Sequence, residues 1–206
     1  MNIINKILLF LKPIQILMQR IGRKETIITS EQVNHIKNLI DQGDILLSYE
    51  AQRFTSLFIK GNFDHAAIVT SRYSVMEAVG DEYHLGNNKG GVREVDLTEW
   101  LYKKDHIAII RPVYENKLVN KLAAANSFSF KGLGYDYGFR IGSELIYCSE
   151  LVFLCYEKED KNFMNHVGNR QILPIEYLEM CELDPNKFKL IFNTRSKDVN
   201  SGKGIV

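Results

Sequence analysis

The chain carries three cysteines, Cys148, Cys155 and Cys181, and one of them occupies a position suited to a nucleophile. In Leu145-Ile-Tyr-Cys148-Ser-Glu-Leu-Val-Phe-Leu-Cys-Tyr156 a polar, Gly-rich segment turns into an apolar run with helical spacing. Leu151, Val152, Leu154 and Cys155 fall three and four apart, the mark of a buried helix face. Cys148 then lies in the first helical turn, where backbone N–H groups and the positive end of the dipole favour a thiolate. The competing reading is a small buried hydrophobe, the common fate of a free cysteine. To decide between them, the chain must supply a base for the thiol proton and a third polar group to fix that base.

Five histidines are available. His35 stands beside Lys37 on a helix and reads as a surface residue, and His84 belongs to a Gly-rich loop. His106 opens a strand after a charged run, and His166 precedes Gly168 in a polar stretch. Only His65 sits inside a strand, Phe63-Asp-His65-Ala-Ala-Ile-Val-Thr70, with Ala66 and Ala67 making room for a helix start against the sheet. Glu77 lies mid-way along the next strand, Tyr73 to Val79. If His65 pairs with Glu77, Val69 opposes Tyr73, the turn is Thr70-Ser71-Arg72, and both side chains share a face. An acid among Val75, Met76, Ala78 and Val79 needs a partner, since unpaired burial is costly. The alternative is a strand-edge histidine and a solvated glutamate. No metal is expected, because the three cysteines lack paired ligand spacing. No phosphate-binding cofactor is expected either: Gly80–Gly91 has glycines but no Gly-Lys-Ser/Thr ending into a helix.

The elements that must position these groups follow from local patterns. Thr29-Ser-Glu-Gln32 is a capping box ahead of an amphipathic helix through Val33, Ile36, Leu39 and Ile40, stopped by Gly43. Strands follow at Asp44–Tyr49, Phe63–Thr70, Tyr73–Val79 and Gly91–Asp96, then a helical turn over Leu97–Leu101. His106–Val113 is an apolar, β-branched strand expected near the sheet centre. A helix from about Glu115 to Phe128 carries Leu118, Leu122 and Ala125 on one face. The Cys148 helix, a helix opened by Pro174 and a strand over Lys187–Phe192 complete the order. An antiparallel meander followed by helices with a late strand predicts an α+β fold.

The 206 residues suffice for one substantial domain, taken as residues 29–192, with a basic segment 1–28 and a polar tail 193–206. A net charge of +1 argues against a nucleic-acid-binding surface. Three cysteines do not make a disulfide framework and suit a reducing compartment. No apolar run is long enough to span a membrane. Residues 1–24 hold Lys6, Lys12, Arg20, Arg23 and Lys24, no acid, and a helical apolar stripe. Lys12 and Pro13 interrupt that stripe, which argues against a secretory signal. The segment suits either an anionic membrane surface or packing on its own domain. The expected setting is cytoplasmic, with or without that peripheral contact, and the oligomeric state stays open.

Six short motifs also occur in the order seen in a known group. Gly43-Asp44-Ile-Leu, Phe63-Asp-His65-Ala-Ala-Ile-Val, Met76-Glu77-Ala, Gly91-Val, Gly134-Tyr135-Asp136 and Tyr147-Cys148-Ser-Glu-Leu-Val152 resemble the permuted NlpC/P60 hydrolases. These are the YiiX/YebB-like proteins of the papain-like superfamily, and the resemblance covers roughly residues 43 to 180. It implies a circularly permuted papain-like fold, with an antiparallel sheet packed against the cysteine helix. It also implies Cys148 as nucleophile, His65 as base and Glu77 as the orienting residue. Tyr135 and the helix start at Ser149 are implied as oxyanion support, and Asp44 as a structural turn residue. Glu150 departs from the glycine of the non-permuted enzymes. The implied reaction is cleavage of an amide in a peptide or cell-wall-type substrate through a thioester. Two alternatives stand beside it: a lipid-directed acyl hydrolase or acyltransferase at a membrane surface, and a catalytically silent binding module.

Overall fold

A computed structural model describes residues 28–50, 63–80, 90–142, 144–165 and 170–195. The expectations for the basic segment before Ile28, for the loops 51–62 and 81–89, and for His84 and His166 lie outside the described residues.

Helix α1 (Ser30–Leu39) begins on the expected capping box. Thr29 Oγ1 accepts from Gln32 N at 3.2 Å and Gln32 Oε1 accepts from Thr29 N at 3.0 Å. Gly43 turns the chain into β1 (Ile45–Tyr49) with φ of 93°. A Cβ at Gly43 would stand 2.4 Å from the Asn120 carbonyl oxygen, so both the conformation and the space require glycine. Strands β2 (His65–Ser71), β3 (Ser74–Val79) and β4 (Gly91–Asp96) continue as a meander. Helix α2 (Leu97–Tyr102) starts on an Asp96 cap and leads into β5 (His106–Pro112). Helix α3 (Leu118–Asn126) runs into a 3-10 turn at Ser127–Phe130. Helices α4 (Cys148–Glu157) and α5 (Pro174–Leu183) and strand β6 (Phe188–Asn193) close the order.

The six strands among the described residues form one fully antiparallel sheet in the order β4-β3-β2-β1-β5-β6, and the fold is α+β as expected. Strand β5 is interior but lies one place from an edge, beside β1 and β6. Both faces are covered. On one, Ile45, Leu47, Ala66, Ile68, Met76 and Ala78 pack with Leu151, Val152, Cys155 and Tyr156 of α4 and with Tyr177 of α5. On the other, Leu46, Ala67, Val69 and Val75 pack with Ile36 of α1 and with Leu97, Trp100 and Leu101 of α2. Strand alternation decides this division. It also divides the two alanines beside His65: Ala66 makes room for α4, while Ala67 faces α1 and α2.

Three further expectations need adjustment. Leu118, Leu122 and Ala125 do share a face of α3, but that face is turned to solvent, and the small Ala123 and Ala124 seat the helix. The polar tail does not start at Asn193. Asn193 pairs with Ala108, Thr194 N donates to Ile107 O at 2.9 Å, and Ile107 N donates to Thr194 Oγ1 at 3.0 Å. These bonds extend the β5–β6 pairing past the expected boundary. The β2–β3 turn is also shorter than expected. Ser71 pairs with Ser74, leaving Arg72-Tyr73 as a two-residue turn, and a bulge falls between Val69 and Ser71.

Candidate active site

The shorter turn shifts the β2–β3 register by two residues relative to the expected one. Ala67, and not His65, stands opposite Glu77. A two-residue shift preserves the face of every side chain, so His65 and Glu77 become diagonal neighbours on the same face. The long glutamate side chain spans that diagonal: His65 Nε2 lies 2.8 Å from Glu77 Oε2, with both residues buried. The expected partnership exists, in a different register.

Glu77 has further partners that the sequence reading missed. Trp100 Nε1 donates to Oε2 at 2.8 Å. Arg93, directly opposite Glu77 on β4, donates to Oε1 from Nε at 3.1 Å and from Nη2 at 3.0 Å. Indole and guanidinium groups can only donate, so they present no acceptor for a carboxyl proton and favour the carboxylate. His65 Nε2 must then carry a hydrogen to complete its bond, and in the neutral ring Nδ1 is the unprotonated nitrogen. The His65 and Trp100 rings lie 6.3 Å apart, centroid to centroid. Two cues for these donors were present in the sequence: Trp100 is its one tryptophan, and Arg93 stands amid the β-branched residues of a short strand.

Cys148 is the first residue of α4 and is 2% exposed. Its Sγ lies 3.9 Å from Ser149 Oγ. The helix is buried almost all round, and the chain about the cysteine is anchored on several sides. Tyr147 Oη accepts from Ile172 N at 2.9 Å, and Tyr177 Oη donates to Ser149 O at 2.8 Å. Glu150, fully buried, accepts from Gly142 N at 2.8 Å and Tyr147 N at 3.4 Å, tying the preceding loop to the helix start. Burial pushes the Glu150 carboxyl up to about 7, against the lowering effect of those two N–H groups. The other thiols are poorly placed to ionise. Burial raises Cys155 far above the usual thiol range and pushes Cys181 up to about 11.

Tyr135 bridges to Ile146 in parallel fashion, two residues before Cys148, and is largely buried. Its ring meets Tyr137 edge-on at 5.0 Å and Phe139 at 6.4 Å. These ring contacts pack Tyr135 into the loop that leads into α4. Asp44, another acid of the shared motifs, lies at the start of β1, held by Arg111 through Nε at 2.8 Å and Nη2 at 2.7 Å. Among the described residues no group of three or more His, Cys, Asp or Glu side chains is arranged to hold a metal ion.

The family model described as permuted papain-like amidase enzyme, YaeF/YiiX, C92 family, matches residues 39–174. The chain belongs to this family. The matched span includes His65, Glu77, Tyr135 and Cys148, and the family is an alternative label within the clan expected from the shared motifs. Membership makes the chain an enzyme of the thiol-dependent hydrolase class with a permuted papain-like fold. One solved structure, described as that of metalloprotein yiiX from Escherichia coli O157:H7, is 20% identical. The match covers 60% of this chain and 68% of that one, with a TM-score of 0.48. The search of curated proteins produced no match.

Proposed function

We propose that this amidase-family enzyme cleaves an amide bond in a peptide or cell-wall-type substrate, with Cys148 as nucleophile, His65 as base and Glu77 as the residue that orients the base. The observation that carries the reading is the 2.8 Å contact between His65 Nε2 and a Glu77 carboxylate saturated by Trp100 and Arg93. That arrangement commits Nε2 and leaves Nδ1 as the nitrogen for the thiol. His65 is the first residue of β2 and Cys148 the first of α4, and the reading requires the imidazole to reach the thiol around the end of the sheet.

In the first step the Cys148 proton passes to His65 Nδ1 and the thiolate attacks the carbonyl carbon. The tetrahedral oxyanion collapses as the carbon–nitrogen bond breaks, and the imidazolium gives its proton to the leaving amine. Water, deprotonated by the same nitrogen, then attacks the thioester, and the departing sulfur regains its proton. The first N–H groups of a helix have no partner within it, so the N–H of Ser149 is suited to receive the oxyanion. The Tyr135 hydroxyl is the side-chain candidate for the same role. Muropeptides incubated with the wild type and with Cys148→Ala test the proposal. Equal product from both proteins would remove Cys148 from the mechanism.

A lipid-directed reading has one observation in its favour. Exposed Leu118 and Leu122 share the solvent face of α3 with Lys117 and Lys121, a pattern suited to an anionic bilayer. On this reading the same thioester chemistry acts on acyl lipids, with hydrolysis or acyl transfer set by the acceptor. Sedimentation with vesicles containing phosphatidylserine, comparing wild type with Leu118→Ser/Leu122→Ser, tests it. Unchanged binding of the double variant would discard α3 as the contact.

A further inference from the structure

Glu77 is more than a passive partner of His65, because its position is itself built by two groups from other elements. Trp100 comes from α2, 23 residues further along the chain, and Arg93 from β4, 16 residues along. The indole N–H and the imidazole share Oε2, while the guanidinium takes Oε1 through two nitrogens. A carboxylate held by one imidazole alone can rotate about its last torsion. Held at both oxygens from two directions, it has one orientation, and Oε2 stays directed at Nε2.

We propose that Trp100 and Arg93 are positioning residues that act through Glu77 to hold His65 as the Nε2–H tautomer, with Nδ1 turned toward thiol chemistry. This rests on the triad reading above. Neither residue touches the reacting atoms. Each acts by keeping the carboxylate ionised and aimed.

The arrangement around Trp100 supports a role beyond filling space. The one tryptophan of the chain is almost wholly buried, and its N–H is directed at a carboxylate oxygen instead of being left at the surface. The buried Lys104 sets its Nζ 4.9 Å from the indole centroid and pairs with Glu50 at 3.2 Å. A cation on the ring face draws electron density from the indole and strengthens its N–H as a donor. Arg93 is part-exposed, yet it spends both forked nitrogens on one oxygen.

The test reads Cys148 alkylation by iodoacetamide between pH 4 and 9, by mass spectrometry of the Cys148 peptide. It requires no knowledge of the substrate. In the wild type a thiolate–imidazolium pair gives a reactive shoulder on the acid side. Trp100→Phe keeps the ring and loses the donor, while Arg93→Met loses the fork. Each is expected to lower the rate at pH 6 about tenfold, the scale of one hydrogen bond to a charged group. Arg93→Lys should recover part of that loss. Ring ¹⁵N shifts of His65, read in a Cys148→Ala background at a pH where the ring is neutral, supply a second readout: the Nε2–H signature should give way to a tautomer mixture when Trp100→Phe is added. Unchanged profiles and unchanged ¹⁵N shifts in both variants, with His65→Asn removing the shoulder, would overturn this inference and leave the triad standing. A His65→Asn profile identical to the wild type would instead overturn the triad. Loss of alkylation contrast that tracks only a lowered melting temperature, with the wild-type tautomer kept, would assign both residues a structural role and reject the proposal.

Discussion

Two buried carboxylates on the sheet, Asp44 and Glu77, look alike in burial and differ in the company they keep. Asp44 is bound by the Arg111 fork and by Asp41 N at 2.8 Å, and Arg111 is held in turn by Leu39 O and Asp41. Both groups that bind the Asp44 carboxylate are permanent donors, and together they fix its geometry. Glu77 has the same kind of permanent donors in Arg93 and Trp100, plus one partner that titrates, His65. A fixed ion pair secures the entry of β1 against α1. A fixed carboxylate with a titratable partner transmits its orientation to a second ring nitrogen. Burial alone therefore does not mark a working acid; a titratable neighbour with a second reactive atom does.

Mutating the two acids should separate the roles. Glu77→Gln is expected to lower turnover by a factor on the order of 10² to 10⁴, the range of a disturbed acid–base partner, with a modest change in melting temperature. Asp44→Asn leaves Arg111 with only the exposed Asp41 carboxylate as its charge partner and should cost about 3 kcal/mol in denaturant unfolding. Turnover per folded molecule should stay near the wild-type value. If Glu77→Gln proves as destabilising as Asp44→Asn and no less active when folded, the distinction collapses.

Glu150 offers a third carboxylate with a different fate. Its folded-state value, about 7, lies above the 4.5 of an ordinary glutamate, and burial is the main cause. The unfolded chain therefore loses this proton at lower pH than the folded protein does. Between about pH 4.5 and 7 the unfolded state binds fewer protons, so this group makes stability fall as pH rises. Unfolding free energies at pH 4.5 and 7.5 should show the wild type losing up to about 3 kcal/mol more over that interval than Glu150→Gln. Parallel pH dependence in the two proteins would show that Glu150 titrates normally.

Smaller effects sharpen the comparison further. Lys104→Met keeps the bulk over the indole and removes the cation. It should reduce the Cys148 alkylation rate at pH 6 by about twofold to threefold, the scale of a modest cation–π term. Cys155 and Cys181, whose thiols burial raises, should alkylate far more slowly than Cys148 near neutral pH. Equal labelling of all three cysteines would remove the special status of the α4 start.

Much of this was legible where the physics is local. The capping box at Thr29 and Gln32 satisfies its own backbone groups, so four residues are enough to read it. Helix α4 declared itself through apolar residues three and four apart, and with it the place of Cys148 at the helix start. Glu77 announced a partner because an acid in an apolar strand is costly alone, and His65 was the histidine placed to answer. The two-residue error in register did no harm, since side chains alternate with period two and both residues kept their face. A one-residue error would have sent them to opposite sides. Helix α3 shows the limit of such reading: Leu118 and Leu122 define a stripe, but periodicity does not say whether a stripe faces core or water. Close packing against α4 required the small Ala123 and Ala124, and the leucines were left outside.

What the sequence determined by itself was the set of elements and the chemical types they carry: a cysteine opening a helix, a histidine inside a strand, an acid twelve residues on. Only the tertiary structure decided what holds that acid. Arg93 and Trp100 reach Glu77 through sheet pairing and helix packing over separations of 16 and 23 residues. No local pattern encodes such meetings, because they depend on register, on strand order and on which face each element covers. The register depended on a single bulge, and the covered face on which side chains were small enough to let a helix approach.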